Sequence, residues 1–255
     1  MNAMNIDAII VGCVTGFISA FFGIGGSSID TPMLRTFLGL PPLIALGTPL
    51  PLTILTASIA SFAYKREHLV DFRIALYSLL AGVPGMVLGS YLTALLSGRF
   101  LMLLTAVVLF LVGIDFIVKD LTEKTFAMKR PFSPPPAYFI IVVVFLIGIL
   151  SGLLANGGGI FLVPAYVVFF HMKIKEAIAT SLLTVIVMSL PGSIIHYYLG
   201  HIDTAVSAFM AVGVIPLAYA GARLDIRTRS KTVMLLYGIV MAAFSVYFFI
   251  SQLKT

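Results

Sequence analysis

Gly16 to Gly26 reads GFISAFFGIGG, and 132 residues further on Gly148 to Gly158 reads GILSGLLANGG. Gly16 meets Gly148, Ser19 meets Ser151, and Gly25-Gly26 meets Gly157-Gly158. The same shift pairs Pro32 with Pro164, Thr48 with Thr180, Ser61 with Ser193, and Asp71 with Asp203. It also pairs Pro84 with Pro216, Gly89 with Gly221, and Met102-Leu103-Leu104 with Met234-Leu235-Leu236. The register holds without a gap from 16 to 113. Matched glycine, proline and aspartate in one register point to an internal duplication, a common feature of secondary transporters.

The composition says where such a duplicated unit lives. Of 255 residues, 60% are hydrophobic and 10% charged, with mean hydropathy +1.11. A soluble domain carries roughly 25% charged residues. The apolar runs are near the roughly 20 residues a helix needs to cross a bilayer, and without water each span must satisfy its own backbone. They do not alternate in and out as barrel strands do. The chain therefore reads as an all-α polytopic membrane protein. Each half holds one interrupted run and three plain ones, giving eight hydrophobic segments. The interrupted runs cover about 6–38 and 137–170. The plain runs cover about 43–64, 72–95, 100–118, 175–199, 204–224 and 231–252. The first repeat is placed at 1–118, a proline-rich cytoplasmic linker at 119–136, and the second repeat at 137–255. No basic region precedes the apolar run from Ile6, so that run reads as part of the fold rather than a signal peptide.

Charge sets the topology. If each interrupted run crosses once, the 16 Lys and Arg divide eight to eight, which orients nothing. If each returns to its starting side, thirteen fall on one side: Lys65, Arg66, Arg73, Lys119, Lys124, Lys129, Arg130, Lys173, Lys175, Arg223, Arg227, Arg229 and Lys231. Arg35, Arg99 and Lys254 remain on the other. The rich side is expected to be cytoplasmic. Length agrees, because 7–38 as one helix would measure about 48 Å at about 1.5 Å per residue. Each half then has an odd number of crossings, so the halves are inverted, and the N-terminus lies outside the cytoplasm. The net charge of +6 follows from these loops, and a nucleic-acid partner is not expected.

Two inverted hairpins would bring their glycine tips to mid-membrane, with a new helix starting after each. Helix N-termini offer free N–H groups and a partial positive charge, which favours a small anion. The same glycines would also allow close helix packing. The binding candidates at the tips are Gly25, Gly26, Ser27 and Ser28, and Asn156, Gly157, Gly158 and Gly159. Thr48, Thr180 and Ser181, with the matched pair Ser61 and Ser193, add hydroxyls. Thr31, Thr53, Thr56, Thr184 and Ser189 are further hydroxyls, each of which could equally serve helix packing. Asp30 is a carboxylate at membrane depth, either a coupling group for a proton or sodium ion or a partner of Arg35. His196 is the second coupling candidate. Asp71 and Asp203 read as N-caps, and Asp115 as a partner of Lys119.

No metal-binding spacing, phosphate loop or nucleophile–base set is present, so neither a resident cofactor nor an enzyme activity is expected. The single cysteine, Cys13, excludes an intramolecular disulfide.

The chain resembles the TauE/SafE family of sulfite and organosulfonate permeases over nearly its whole length. The residues that carry the resemblance are Gly16–Gly26, Pro32, Ala45, Gly47-Thr48 and Ser58. In the second half they are Gly148, Ser151–Leu154, Asn156–Gly159, Pro164, Ala177 and Ala179–Ser181. The family pattern Gly-x-Gly-Gly-Gly is Gly-Ile-Gly-Gly-Ser in the first half and Ala-Asn-Gly-Gly-Gly in the second. The resemblance implies a permease of the bacterial plasma membrane that moves small sulfur-containing anions such as sulfite or sulfoacetate. A carrier of another small anion, or an integral membrane protein that transports nothing, remains the alternative at this stage.

Overall fold

A computed structural model describes residues 3–64, 67, 69–121 and 135–253. They form eleven helices and no strand. In the first half these are α1 (Ala3–Phe22), α2 (Ser27–Phe37), α3 (Pro42–Gly47), α4 (Leu50–Tyr64), α5 (Phe72–Thr93) and α6 (Gly98–Leu121). In the second half they are α7 (Ala137–Leu153), α8 (Gly159–Val168), α9 (Ile174–Tyr198), α10 (Thr204–Arg227) and α11 (Ser230–Leu253). Among the described residues, seven helical stretches are long and apolar enough to cross a membrane. The chain is thus an all-helical polytopic membrane protein. The helix α7, at 17 residues, falls just short of that length. Most of the linker expected at 119–136 lies outside the described residues.

Both interrupted runs break at their glycines, α1 from α2 at Gly23–Gly26 and α7 from α8 at Leu154–Gly158. The run expected as one helix over 43–64 is divided into α3 and α4. Pro49 has no N–H to give Ala45, so the ladder skips there. In α9 the equivalent residue is Ser181, and the helix runs unbroken.

The packing repeats under the same shift of 132. The helix α1 lies against α10, and α7 lies against α5. A Cβ on Gly16 would stand 2.8 Å from Val214 Cα, and one on Gly148 would stand 2.5 Å from Gly82 O. Gly221 meets Phe17 O and Gly89 meets Ile149 O as closely. Only glycine lets backbones approach to this distance without help from a hydrophobic driving force. The hydroxyl of Thr48 accepts from Asp203 N–H at 3.0 Å, and that of Thr180 accepts from Asp71 N–H at 3.0 Å. Asp71 and Asp203 each cap the helix that follows, accepting two backbone N–H groups at 3.0 Å.

These ties fix relative direction. The start of α4 sits at the link between α9 and α10, where Thr48 meets Asp203. The start of α9 sits at the link between α4 and α5, where Thr180 meets Asp71. So α4 and α9, equivalent in sequence, run antiparallel. The end of α4 also meets the end of α10, where Tyr64 donates to Asp225, and Lys175 Nζ donates to Ile226 O at 2.6 Å. The segments next to Lys65, Lys175 and Arg227 therefore share one end of the molecule. Thr48, His196 and Thr93 share the other.

Candidate functional site

The two glycine breaks meet in the core. A Cβ on Gly159 would stand 2.4 Å from Ile24 O, so the start of α8 is pressed on the first break. A Cβ on Gly25 would meet Val185 and Thr53, and one on Gly157 would meet Ser189, Thr53 and Val185. Thr53 and Val185 are themselves 132 residues apart, so both breaks straddle an equivalent pair on α4 and α9. Gly26 at φ +116° and Gly158 at φ +98° turn the chain into α2 and α8 at a conformation side chains resist.

Where the breaks meet, Ser27, Ser28 and Thr31 of α2 line a cavity of about 10 Å³ with Thr105 of α6 and Leu154, Asn156 and Ile160 of the second break. That volume holds about one water. The three α2 hydroxyls are buried and lack hydrogen-bond partners. Such a group ordinarily costs about 1–3 kcal/mol when left unmade, so each is an unspent donor. Ser27 N–H is already engaged by Thr53 Oγ1 at 3.3 Å. Asn156 Oδ1 accepts from Gly158 N–H at 3.0 Å, which leaves its NH2 as what it can offer a ligand. The arrangement presents donors without a buried cation, the chemistry that suits an oxyanion.

The expected residues divide into three groups. Ser27, Ser28 and Asn156 line the cavity, and Gly25, Gly26, Gly157, Gly158 and Gly159 form the loops around it. Thr48, Thr180 and Ser181 stand elsewhere. The two threonines hold the starts of α10 and α5, and Ser181 donates to Gly23 O at 3.1 Å, tying α9 to the end of α1. Ser61 and Ser193 lie farther along α4 and α9, and Ser193 lines a shallow apolar groove of about 570 Å³ on the outer face.

Arg35 donates to Leu40 O at 3.0 Å and leaves Asp30 Oδ1 buried without a partner, so the Asp30–Arg35 pair, one of the two readings of Asp30, does not form. The i to i+5 spacing points the two side chains apart on a helix. Lys119, the expected partner of Asp115, has no described side chain.

His196 is fully buried, its Nε2 3.3 Å from Gly152 O and its Nδ1 3.2 Å from His201 Nδ1. Burial holds the His201 imidazole below its usual range, so at neutral pH one ring donates and the other accepts. The equivalent place in the first half is Tyr64 with Asp225. Asp225 was not singled out by sequence, because the run 204–224 stops one residue short of it. Helix α10 extends to Arg227 and buries it. Thr105 was also missed. Its signal is weak, one hydroxyl in an apolar run, and only packing brings it to the cavity.

A sequence model of the family described as sulfite exporter TauE/SafE matches residues 8–248. The chain is 24% identical to probable membrane transporter protein YunE of Bacillus subtilis (strain 168), over 91% of this chain and 93% of that one. It is 28% identical to a probable membrane transporter protein of Xylella fastidiosa (strain 9a5c), over 96% of each. It is 24% identical to probable membrane transporter protein MJ0441 of Methanocaldococcus jannaschii, over 94% and 93%. No solved structure matches the chain.

Proposed function

We propose a substrate and a route for this chain, which belongs to the sulfite exporter TauE/SafE family and is a membrane transporter rather than an enzyme. The substrate is a small sulfur-containing anion, such as sulfite or an organosulfonate, held where the two breaks meet. The observation that carries this is the set of unpartnered hydroxyls of Ser27, Ser28 and Thr31, buried beside Asn156 at two helix starts. Hydroxyls and backbone dipoles at a helix N-terminus favour negative charge. The family's printed description adds sulfite as the substrate class.

A cavity of about 10 Å³ is too small for sulfite, so binding goes with the parting of α2 from α6. The route is alternating access between two inverted repeats, 1–118 and 137–255, in the plasma membrane with the N-terminus outside. The antiparallel course of α4 and α9 supports that reading, as does the shared end of Tyr64, Asp225 and Lys175. Single cysteines on a Cys13→Ser background test it with an impermeant thiol reagent. Positions near Lys65 and near Arg227 are expected to label from the cytoplasmic face, and labelling from opposite faces ends the inverted topology.

The substrate is tested by flux of radiolabelled sulfite, sulfoacetate, sulfate and acetate into proteoliposomes. Sulfite or sulfoacetate is expected to move, and acetate to move far less. If no sulfur oxyanion moves, the substrate proposal fails while the fold stands.

A further inference from the structure

Asp30 lies on α2 beside the cavity but is not among the residues that line it. At about 100° per residue, it stands about 60° around the helix from Ser27 and about 160° from Ser28. Asp30 is 1% exposed, and Oδ1 has no partner. Its side-chain neighbour is the Thr15 hydroxyl of α1. Thr15 gives its one hydrogen to Val11 O at 2.9 Å. The Thr15 hydroxyl can keep that hydrogen on Val11 O or turn it to Asp30, so it can serve the acid in either protonation state.

Among the described residues, no charge compensates an ionised Asp30. The helices packed on α2 are α1, α3, α4, α6 and α11. Facing its carboxyl side are the hydroxyls of Thr15 and, across Gly26, of Thr53 on α4. None of the described charged groups acts on it, neither Asp7 of α1 nor Arg99 and Asp115 of α6 nor Lys231 of α11. Of the tyrosines, Tyr64 of α4 is held by Asp225, and Tyr237 of α11 donates to Ile160 O at 3.4 Å. Arg35 of α2 itself is turned to Leu40 O. Helix α3 carries no titratable side chain.

A metal cation is a poor fit here. Such ions take several oxygen ligands. Gly26 O already accepts from Ile29 N–H, Asp30 N–H and the Ser19 hydroxyl. Thr53 Oγ1 accepts from Ser27 N–H and donates to Pro49 O at 3.2 Å. A proton needs no such shell. The equivalents of Asp30 and Thr53 in the second half are Leu162 and Val185, so the arrangement occurs once in the molecule.

We propose that Asp30 is the protein's proton-coupling group, carrying one proton with each anion held beside it among the α2 hydroxyls. The inference rests on the transport reading above. An anion among Ser27, Ser28 and Thr31 and an ionised Asp30 would repel at close range on one helix. Binding of the anion thus requires the protonated acid, and release of either to one side frees the other to follow.

The test uses purified full-length protein in proteoliposomes with the membrane voltage clamped, and sulfite and sulfoacetate as probes. Wild type is expected to accumulate the anion at least several-fold under a pH gradient and not under a sodium gradient. A pH-indicating dye is expected to count one proton per anion. Asp30→Asn is expected to lose accumulation and proton movement, yet still exchange labelled for unlabelled anion. Asp30→Glu is expected to restore coupling with a displaced pH profile. A count of zero or two in wild type, accumulation driven by sodium, or an Asp30→Asn protein that accumulates like wild type overturns the inference. Anion flux without proton coupling overturns it alone, whereas absence of any flux overturns the substrate reading with it.

Discussion

The two broken helices share a backbone and differ in chemistry. Ser27, Ser28, Asp30 and Thr31 open α2, while Gly159, Ile160, Leu162 and Val163 stand at the equivalent places in α8. Every polar position in the first has an apolar or absent side chain in the second. The loops differ the other way, since Asn156 braces Gly158 N–H whereas Ile24 occupies its place in the first break. Duplication thus preserved the features that make helices pack, and left each half free to specialise. Helix α2 supplies hydroxyls and the acid; the second break supplies the Asn156 amide and the close-packed floor.

The largest way to break this comparison is at the floor. Gly159→Ala would set a Cβ 2.4 Å from Ile24 O, a backbone atom that cannot move without moving the first break. Overpacking of this kind costs on the order of 3 kcal/mol. A large fall in detergent melting temperature and loss of flux are expected, while Ser27→Ala at the equivalent place is expected to keep the fold. If Gly159→Ala melts like wild type, the breaks do not press on one another.

A second prediction separates the two helices by function. Ser28→Ala and Thr31→Val each remove a donor that a bound anion would use. Hydrogen bonds to charged groups are worth about 1.5–3 kcal/mol, so KM for the anion should rise roughly 10- to 100-fold. Melting temperature should hold or rise, because an unpartnered buried hydroxyl is lost from the free protein. The mirror change, Val163→Thr in α8, should leave KM within about twofold. Equal effects on the two helices would mean that the anion uses both and that the asymmetry is incidental.

The smallest effect lies in the turns. Gly23 at φ +68° is matched by Ala155 at φ +46°. Alanine there costs about 1 kcal/mol against glycine, partly offset by the entropy glycine loses on folding. Ala155→Gly is expected to raise the melting temperature by about a degree or two without changing flux.

Much of this was legible without coordinates. The apolar runs gave the helices to within a few residues, since a span must be apolar along its whole length and charges mark where it ends. The matched glycines gave the breaks, because few other residues can serve there. The caps at Asp71 and Asp203 were legible too, since a cap is a contact between near neighbours. Matching between the halves also marked residues that lie away from the cavity. Thr48 and Thr180 are matched because both halves need the same tie between helices, and Ser193 faces an outer groove.

The sequence by itself therefore determined the spans, the duplication and the places where two helices break, because these follow from local composition and from backbone rules. Only the tertiary structure decided that the breaks meet, that α2 turns Ser28 to the cavity and Asp30 to Thr15, and that Asp225 is buried against Tyr64. Those facts depend on contacts between residues as many as 161 apart in sequence. Most of the long helices here are apolar nearly all round, and such a helix carries no signal of which face meets a neighbour and which meets lipid.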